Sequence, residues 1–105
     1  MSSQVPLGAE DQERLLAGLD PGWKIVGGHH LSRDYRFGNF ADALAFVNAI
    51  GAEAEASGHH PDIYLAWGKV AIELWTHEVD GLTEQDFNLA ARCDARWPRL
   101  PDEVA

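Results

Sequence analysis

A chain of 105 residues has room for one domain with one core, spanning 1–105, and not for two. Its 46% hydrophobic content excludes a disordered chain. A formal charge of −9, with 8 scattered Lys and Arg residues, argues against direct nucleic-acid binding and against anionic lipid surfaces. The partner implied is a small molecule or another protein. A lone cysteine, Cys93, leaves no internal disulfide, which fits a reducing compartment. No apolar run reaches the roughly 18 residues of a membrane span, and Met1 to Gly8 lacks a signal-peptide layout. A cytoplasmic, soluble protein is expected.

In chain order, residues 9–19 place Glu10, Asp11 and Glu13 ahead of Leu15, Leu16 and Leu19, a short helix with its acids at the positive end. Asp20-Pro21-Gly22 stops it as a turn. Trp23 to Val26 is a short strand closed by Gly27-Gly28. Leu31 to Phe37 alternates, with Leu31, Tyr35 and Phe37 on one side, although Arg33 also falls there. An antiparallel hairpin from 23 to 37 follows. Asn39 and Asp42 cap a helix whose apolar stripe is Phe40, Ala43, Leu44, Val47, Ile50 and Ala54, with Gly58 as its stop. Pro61 opens an extended segment, and Gly68-Lys69 reads as a two-residue loop between Asp62–Trp67 and Val70–His77. Asp80-Gly81 ends that strand, and Thr83 caps a last helix carrying Phe87, Leu89, Ala90, Ala91 and Cys93. Residues 1–7 and 98–105 read as flexible tails, the latter because Pro98 and Pro101 exclude helix.

The order helix, two strands, helix, two strands, helix predicts an α+β domain. It has a four-stranded antiparallel sheet with three helices packed on one face. Exposed sheet edges in so small a domain predict a homodimer or homotetramer.

The second hairpin gathers the chemistry. With Gly68 and Lys69 as the loop, Trp67 faces Val70, Leu65 faces Ile72, Ile63 faces Leu74, and His60 faces His77. The apolar pairs share one face; Tyr64/Glu73, Asp62/Trp75 and His60/His77 share the other. Opposed residues have Cβ atoms about 4.5–5.5 Å apart, so two imidazoles meet, with His59 beside them. Histidine exchanges protons near neutral pH, and neighbouring imidazoles disfavour double protonation, so one stays a base while the other is an acid. A carboxylate such as Asp86 can fix a tautomer or stabilise an imidazolium. That set suits removal of a proton and expulsion of hydroxide as water.

The segment Glu55-Ala56-Ser57-Gly58-His59-His60-Pro61, then Trp67, Thr76-His77-Glu78, Gly81-Leu82-Thr83 and Asp86, resembles the signature of the pterin-4a-carbinolamine dehydratase family. Weaker likeness reaches back through Gly22-Trp23, Tyr35-Arg36-Phe37 and Phe40, so that it covers residues 15–95. The resemblance implies dehydration of 4a-hydroxytetrahydropterin to quinonoid dihydropterin, with no metal and no organic cofactor. His59 and His77 would act as acid and base, His60 and Pro61 would contact the pterin, and Asp86 would orient the imidazoles. Trp75, Thr76, His77 and Glu78 would line the pocket, with Glu55 in support. Trp75 stands where a small residue is expected in animal relatives; it either narrows the pocket or offers a stacking surface.

Plainer readings exist for single residues. Asp86 lies three residues after Thr83, as the far half of a capping box does, and one carboxylate can serve both purposes. Glu55 is either a supporting acid or a solvated one, and His29-His30 reads as a solvated turn. Cys93 is core filler. Zinc is disfavoured because His59 and His60, adjacent in extended chain, point to opposite faces. The family also includes dimerisation cofactors of a transcription factor and proteins associated with Rubisco assembly, so the resemblance admits, as its second reading, a non-catalytic, protein-binding role.

Overall fold

Helix formation is decided locally in the long central helix. The Asn39 side chain accepts from the Asp42 N–H at 2.8 Å at its start. At its end Gly58 adopts the left-handed conformation (φ 68°), open to glycine without a Cβ penalty, and its N–H closes on the Ala54 carbonyl. In the computed structural model, which describes residues 5–97, the elements are α1 (Ala9–Leu16), β1 (Lys24–Val26), β2 (His30–Arg36), α2 (Phe40–Ser57), β3 (Asp62–Ala66), β4 (Lys69–Leu74), a 3-10 turn (His77–Val79) and α3 (Glu84–Arg96). The strands form one antiparallel sheet in the order β1-β2-β4-β3. This is the expected α+β arrangement of three helices and four strands. No helix among the described residues is long and apolar enough to cross a membrane.

Leu31 and Tyr35 of β2 and Val70, Ile72 and Leu74 of β4 alternate onto the helix side, where they are fully buried with Ile50, Leu82, Leu89 and Cys93. Leu15 and Leu16 of α1 pack against the same cluster. The apolar stripe of α2 is rotated from the expected one. Ala43, Ile50 and Ala54 are buried as predicted, but Phe46 fills the core while Phe40 and Leu44 are exposed. Phe46 stands three residues after Ala43 and four before Ile50, so it shares their face. Its ring packs on Tyr35 and Phe37. A helix apolar over more than one face does not declare by periodicity which edge of its stripe goes inward.

Two further expectations are corrected. α1 ends at Leu16, and the chain continues to Leu19 through single turns. The loop of the second hairpin is Trp67-Gly68, not Gly68-Lys69: Ala66 pairs with Lys69, Leu65 with Val70, Ile63 with Ile72 and Asp62 with Glu73. The cause is a close approach. The Gly68 carbonyl accepts from Phe37 N–H at 2.9 Å, and a Cβ on Gly68 would stand 2.8 Å from the Phe37 carbonyl oxygen. The end of β2 therefore crosses the turn at its glycine. The displacement amounts to two residues, so every side chain keeps its face while every partner changes.

Arg33, the misfit in the β2 alternation, is buried on the core side. It pairs with Asp20 and Asp94 at 2.9 Å each, and its guanidinium lies over the rings of Tyr35 and Trp97. Asp94 also accepts from Trp23 Nε1 and from the Tyr35 hydroxyl. An ion so paired is tolerated where a lone one is not. The expected tails fall chiefly on residues 1–4 and 98–105, outside the described residues. Of the rest, Leu7 is docked, with its N–H donating to the Leu82 carbonyl at 2.8 Å.

Burial pushes the Cys93 thiol up to about 12, helped by the nearby Asp94 and Glu53 carboxylates. Burial also raises the Tyr35 hydroxyl, reinforced by its bond to Asp94. Both groups stay protonated in the fold at pH values where the unfolded chain has released those protons. Their stabilisation is therefore complete below the unfolded values and is lost as pH rises. Urea unfolding should show stability falling above about pH 9, at up to about 1.4 kcal/mol per pH unit for each group. Cys93→Ala should flatten the part of that slope that begins first.

Candidate active site

The site is assembled where three elements end together. Gly58, in its left-handed conformation, turns the chain out of α2 so that His59 and His60 precede Pro61 and the start of β3. β4 stops at Leu74, and Trp75 and Thr76 lead into the 3-10 turn that carries His77 and Glu78. That turn is pinched shut by Thr76 and Gly81, which bridge as an antiparallel pair. Asp80 closes it in the left-handed region (φ 52°). Between these segments lies an open hollow of about 190 Å³ lined by Gly58, His59, His60, Trp75, His77 and Glu78. A second hollow, of about 130 Å³, opens on the α3 side of His59, but His59 is its only imidazole.

Beneath the first hollow lies Asp86, with no exposed surface. Its Oδ1 is 2.5 Å from His59 Nε2, and its Oδ2 accepts from the Thr76 hydroxyl at 2.8 Å and from the Thr83 N–H at 2.9 Å. The Thr83 side chain completes a capping box at the start of α3 and touches the Thr76 hydroxyl at 2.8 Å. Both readings of Asp86 therefore hold in one geometry: it caps a helix and it grips an imidazole. An ionised carboxylate only accepts, so neutral His59 carries its proton on Nε2 and keeps Nδ1 as its basic nitrogen. The His59 side chain is 11% exposed.

His60 is oriented differently. Its Nε2 meets Glu55 Oε2 at 2.6 Å, with both side chains mostly in solvent. Such a pair adds little stability, but it directs the ring. His77 has no carboxylate: among the described residues its ring makes no hydrogen bond, and it stacks on Trp75 at 4.5 Å between centroids and 22° between planes.

The expected site residues thus divide. His59, His60, Trp75, His77 and Glu78 meet at the hollow. Thr76 and Asp86 are buried below it, and Glu55 stands behind His60. Pro61 starts the path into β3 and is not among the lining residues. His60 and His77 do not oppose each other across a ladder, which ends at Asp62 and Glu73; the shared hollow is what brings them together. Trp75 stands in the wall and leaves the hollow open. Sequence reasoning passed over Gly58 as a lining residue, and took His29-His30 for a solvated turn. Instead both rings are half-buried against Trp75, at 5.2 and 5.8 Å. A histidine pair directly after a Gly-Gly turn carries no local signal of that long-range packing.

Residues 5–96 match the family described as Pterin 4 alpha carbinolamine dehydratase. A Rubrobacter xylanophilus protein named for that dehydratase is 53% identical over 89 residues, covering 85% of this chain and 82% of its own. The crystal structure of a transcriptional coactivator/pterin dehydratase from Brucella melitensis superposes with a TM-score of 0.84 at 31% identity, over 89% of this chain and 99% of that one. A pterin dehydratase-like protein identified as a RuBisCO assembly factor in the alpha-carboxysome superposes at 0.62 and 31% identity, over 71% and 88%.

The Asp86 geometry generates a test. Asp86→Ala orphans the Thr83 N–H and the His59 N–H and leaves the Thr76 hydroxyl only its contact with Thr83, and should lower the urea unfolding free energy by about 3 kcal/mol. Asp86→Asn retains the shape but only one oxygen, so it should cost less stability while still changing the His59 tautomer. Nitrogen chemical shifts of the His59 ring read that change directly.

Proposed function

The chain belongs to the pterin 4 alpha carbinolamine dehydratase family, and on that footing we propose that it converts 4a-hydroxytetrahydropterin to quinonoid dihydropterin and water. The observation carrying this reading is the meeting of three imidazoles at one hollow, the inner one held by a buried carboxylate. In the proposed reaction the C4a–O bond breaks and the hydroxyl leaves as water after receiving a proton. The N5–H electrons form the C4a–N5 double bond as the N5 proton is taken away. His59, with Nε2 committed to Asp86, supplies Nδ1 as the base, and the imidazolium it becomes is stabilised by the same carboxylate. His77, exposed beside the hollow and free of hydrogen bonds among the described residues, is the acid; after water leaves, His59 releases its proton to solvent and His77 regains one from it. His60, directed by Glu55, contacts the pterin. The reaction so written moves only protons and one water, and the proposal includes neither metal nor organic cofactor.

The assay is turnover of a 4a-hydroxytetrahydropterin above its spontaneous dehydration. His59→Ala and His77→Ala should each lose about 100-fold or more in kcat, and His60→Ala should act mainly on KM. A wild-type protein with no rate above background would end this reading. The likeness to the RuBisCO assembly factor favours a second one, a protein-binding role on a retained dehydratase scaffold. In that case capture of a protein partner would persist in His59→Ala.

The proposal extends to self-association. β3 is an outer strand of the sheet, and Tyr64 on it and Trp67 at its turn are exposed. An open strand with exposed aromatics invites pairing with a second copy. Sedimentation should show a dimer or tetramer, and a charge at the edge, as in Tyr64→Lys, should shift the equilibrium toward the monomer.

A further inference from the structure

Three imidazoles face the hollow, and each needs its ring plane fixed if protons are to move along a defined line. His59 is fixed by Asp86 and His60 by Glu55. Among the described residues His77 has neither, and stands exposed on a 3-10 turn with the Trp75 indole stacked against it. The indole is itself packed at 5.2 Å by His29 and 5.8 Å by His30. Those two rings meet edge-on, with their Nδ1 atoms 3.0 Å apart. The outer one, His29, reaches from Nε2 to Asp80 at 2.8 Å. Asp80 is the residue that closes the turn carrying His77. The contacts therefore form a ring: His77 on Trp75, Trp75 on His29 and His30, His29 on Asp80, and Asp80 back to His77 through the turn.

We propose that His29, His30 and Trp75 are positioning residues that hold His77 in its working orientation, the indole serving as the third imidazole's substitute for a carboxylate. Three features support this. An exposed imidazole without hydrogen bonds samples several rotamers, and fixing one carries an entropic cost that a flat ring contact offsets. The indole is clamped from a distant segment, the β1–β2 turn and the first residue of β2, so its position does not depend on the end of β4 alone. The bond from His29 to Asp80 ties that turn to the 3-10 turn, so the two sides of the clamp move together.

The inference rests on the dehydratase reading, and the test separates the two. His29→Ala does not touch the hollow; it should lower kcat by about tenfold with KM little changed, as expected when a reacting group is misplaced rather than removed. Trp75 itself lines the hollow, so its variants are read against each other: Trp75→Phe, which keeps a ring, should lose less kcat than Trp75→Leu, which keeps bulk without one. In parallel, the ring protons of His77, shifted by the stacked indole in the wild type, should move toward solvent values in His29→Ala and Trp75→Leu. Thermal unfolding of each variant checks that the fold is intact. Unchanged kcat in His29→Ala and Trp75→Leu, or His77 signals that do not respond, would overturn the clamp while leaving the dehydratase reading standing. A wild type without turnover would instead sink the catalytic reading, whatever the ring protons show.

Discussion

Everything at the site hangs from one buried carboxylate. Asp86 is shut off from water, so its oxygens must find donors inside the protein, and they find them in three pieces of chain: the imidazole after α2, the hydroxyl after β4 and the backbone at the start of α3. Thr83 and Thr76 lie three and ten residues from Asp86, but His59 is 27 residues away and is brought within hydrogen-bonding distance only by the fold. The satisfied carboxylate thereby sets the distance between the His59 wall of the hollow and the Trp75–His77 wall. Helix capping and imidazole orientation are one arrangement here, because the oxygen that accepts from Thr83 and Thr76 belongs to the same group as the oxygen that meets His59.

A second carboxylate on the same helix plays the corresponding part for the core. Asp94 gathers Trp23, Arg33 and Tyr35, and Arg33 adds Asp20 from the turn after α1. α3 is thus fastened near both ends by polar contacts and along its length by Phe87, Leu89, Ala90 and Cys93. A helix held in that way is a rigid support on which His59 can be aimed, and rigidity of the support is what fixed proton-transfer geometry requires.

The element order was legible because strand and helix periods differ, and because Asn39, Gly58 and Thr83 mark ends by their own chemistry. The site was legible because His59, His60, His77 and Asp86 follow a spaced pattern. What could not be read has physical causes. Alternation repeats every two residues, so it assigned each side chain of the β3–β4 hairpin its face but could not tell apart registers two residues removed; the contact of Gly68 with Phe37 decides between them. Arg33 broke the alternation for a reason lying at Asp20 and Asp94. His29 and His30 acquire their neighbours only when the β1–β2 turn folds against the end of β4, a contact without a local trace. The rotated stripe of α2 reflects an apolar surface wider than the core needs.

The unequal settings of two carboxylates bear on how such proteins diverge. Asp86 is buried and bonded to the start of α3 as well as to His59, so the fold alone gives a lineage reason to keep it, whatever becomes of the hollow. Glu55, out in solvent with His60 as its hydrogen-bonding neighbour, would drift as soon as selection on the orientation of His60 relaxed. Among descendants of this scaffold, the surface acid is therefore the more telling witness to whether the hollow is still in use.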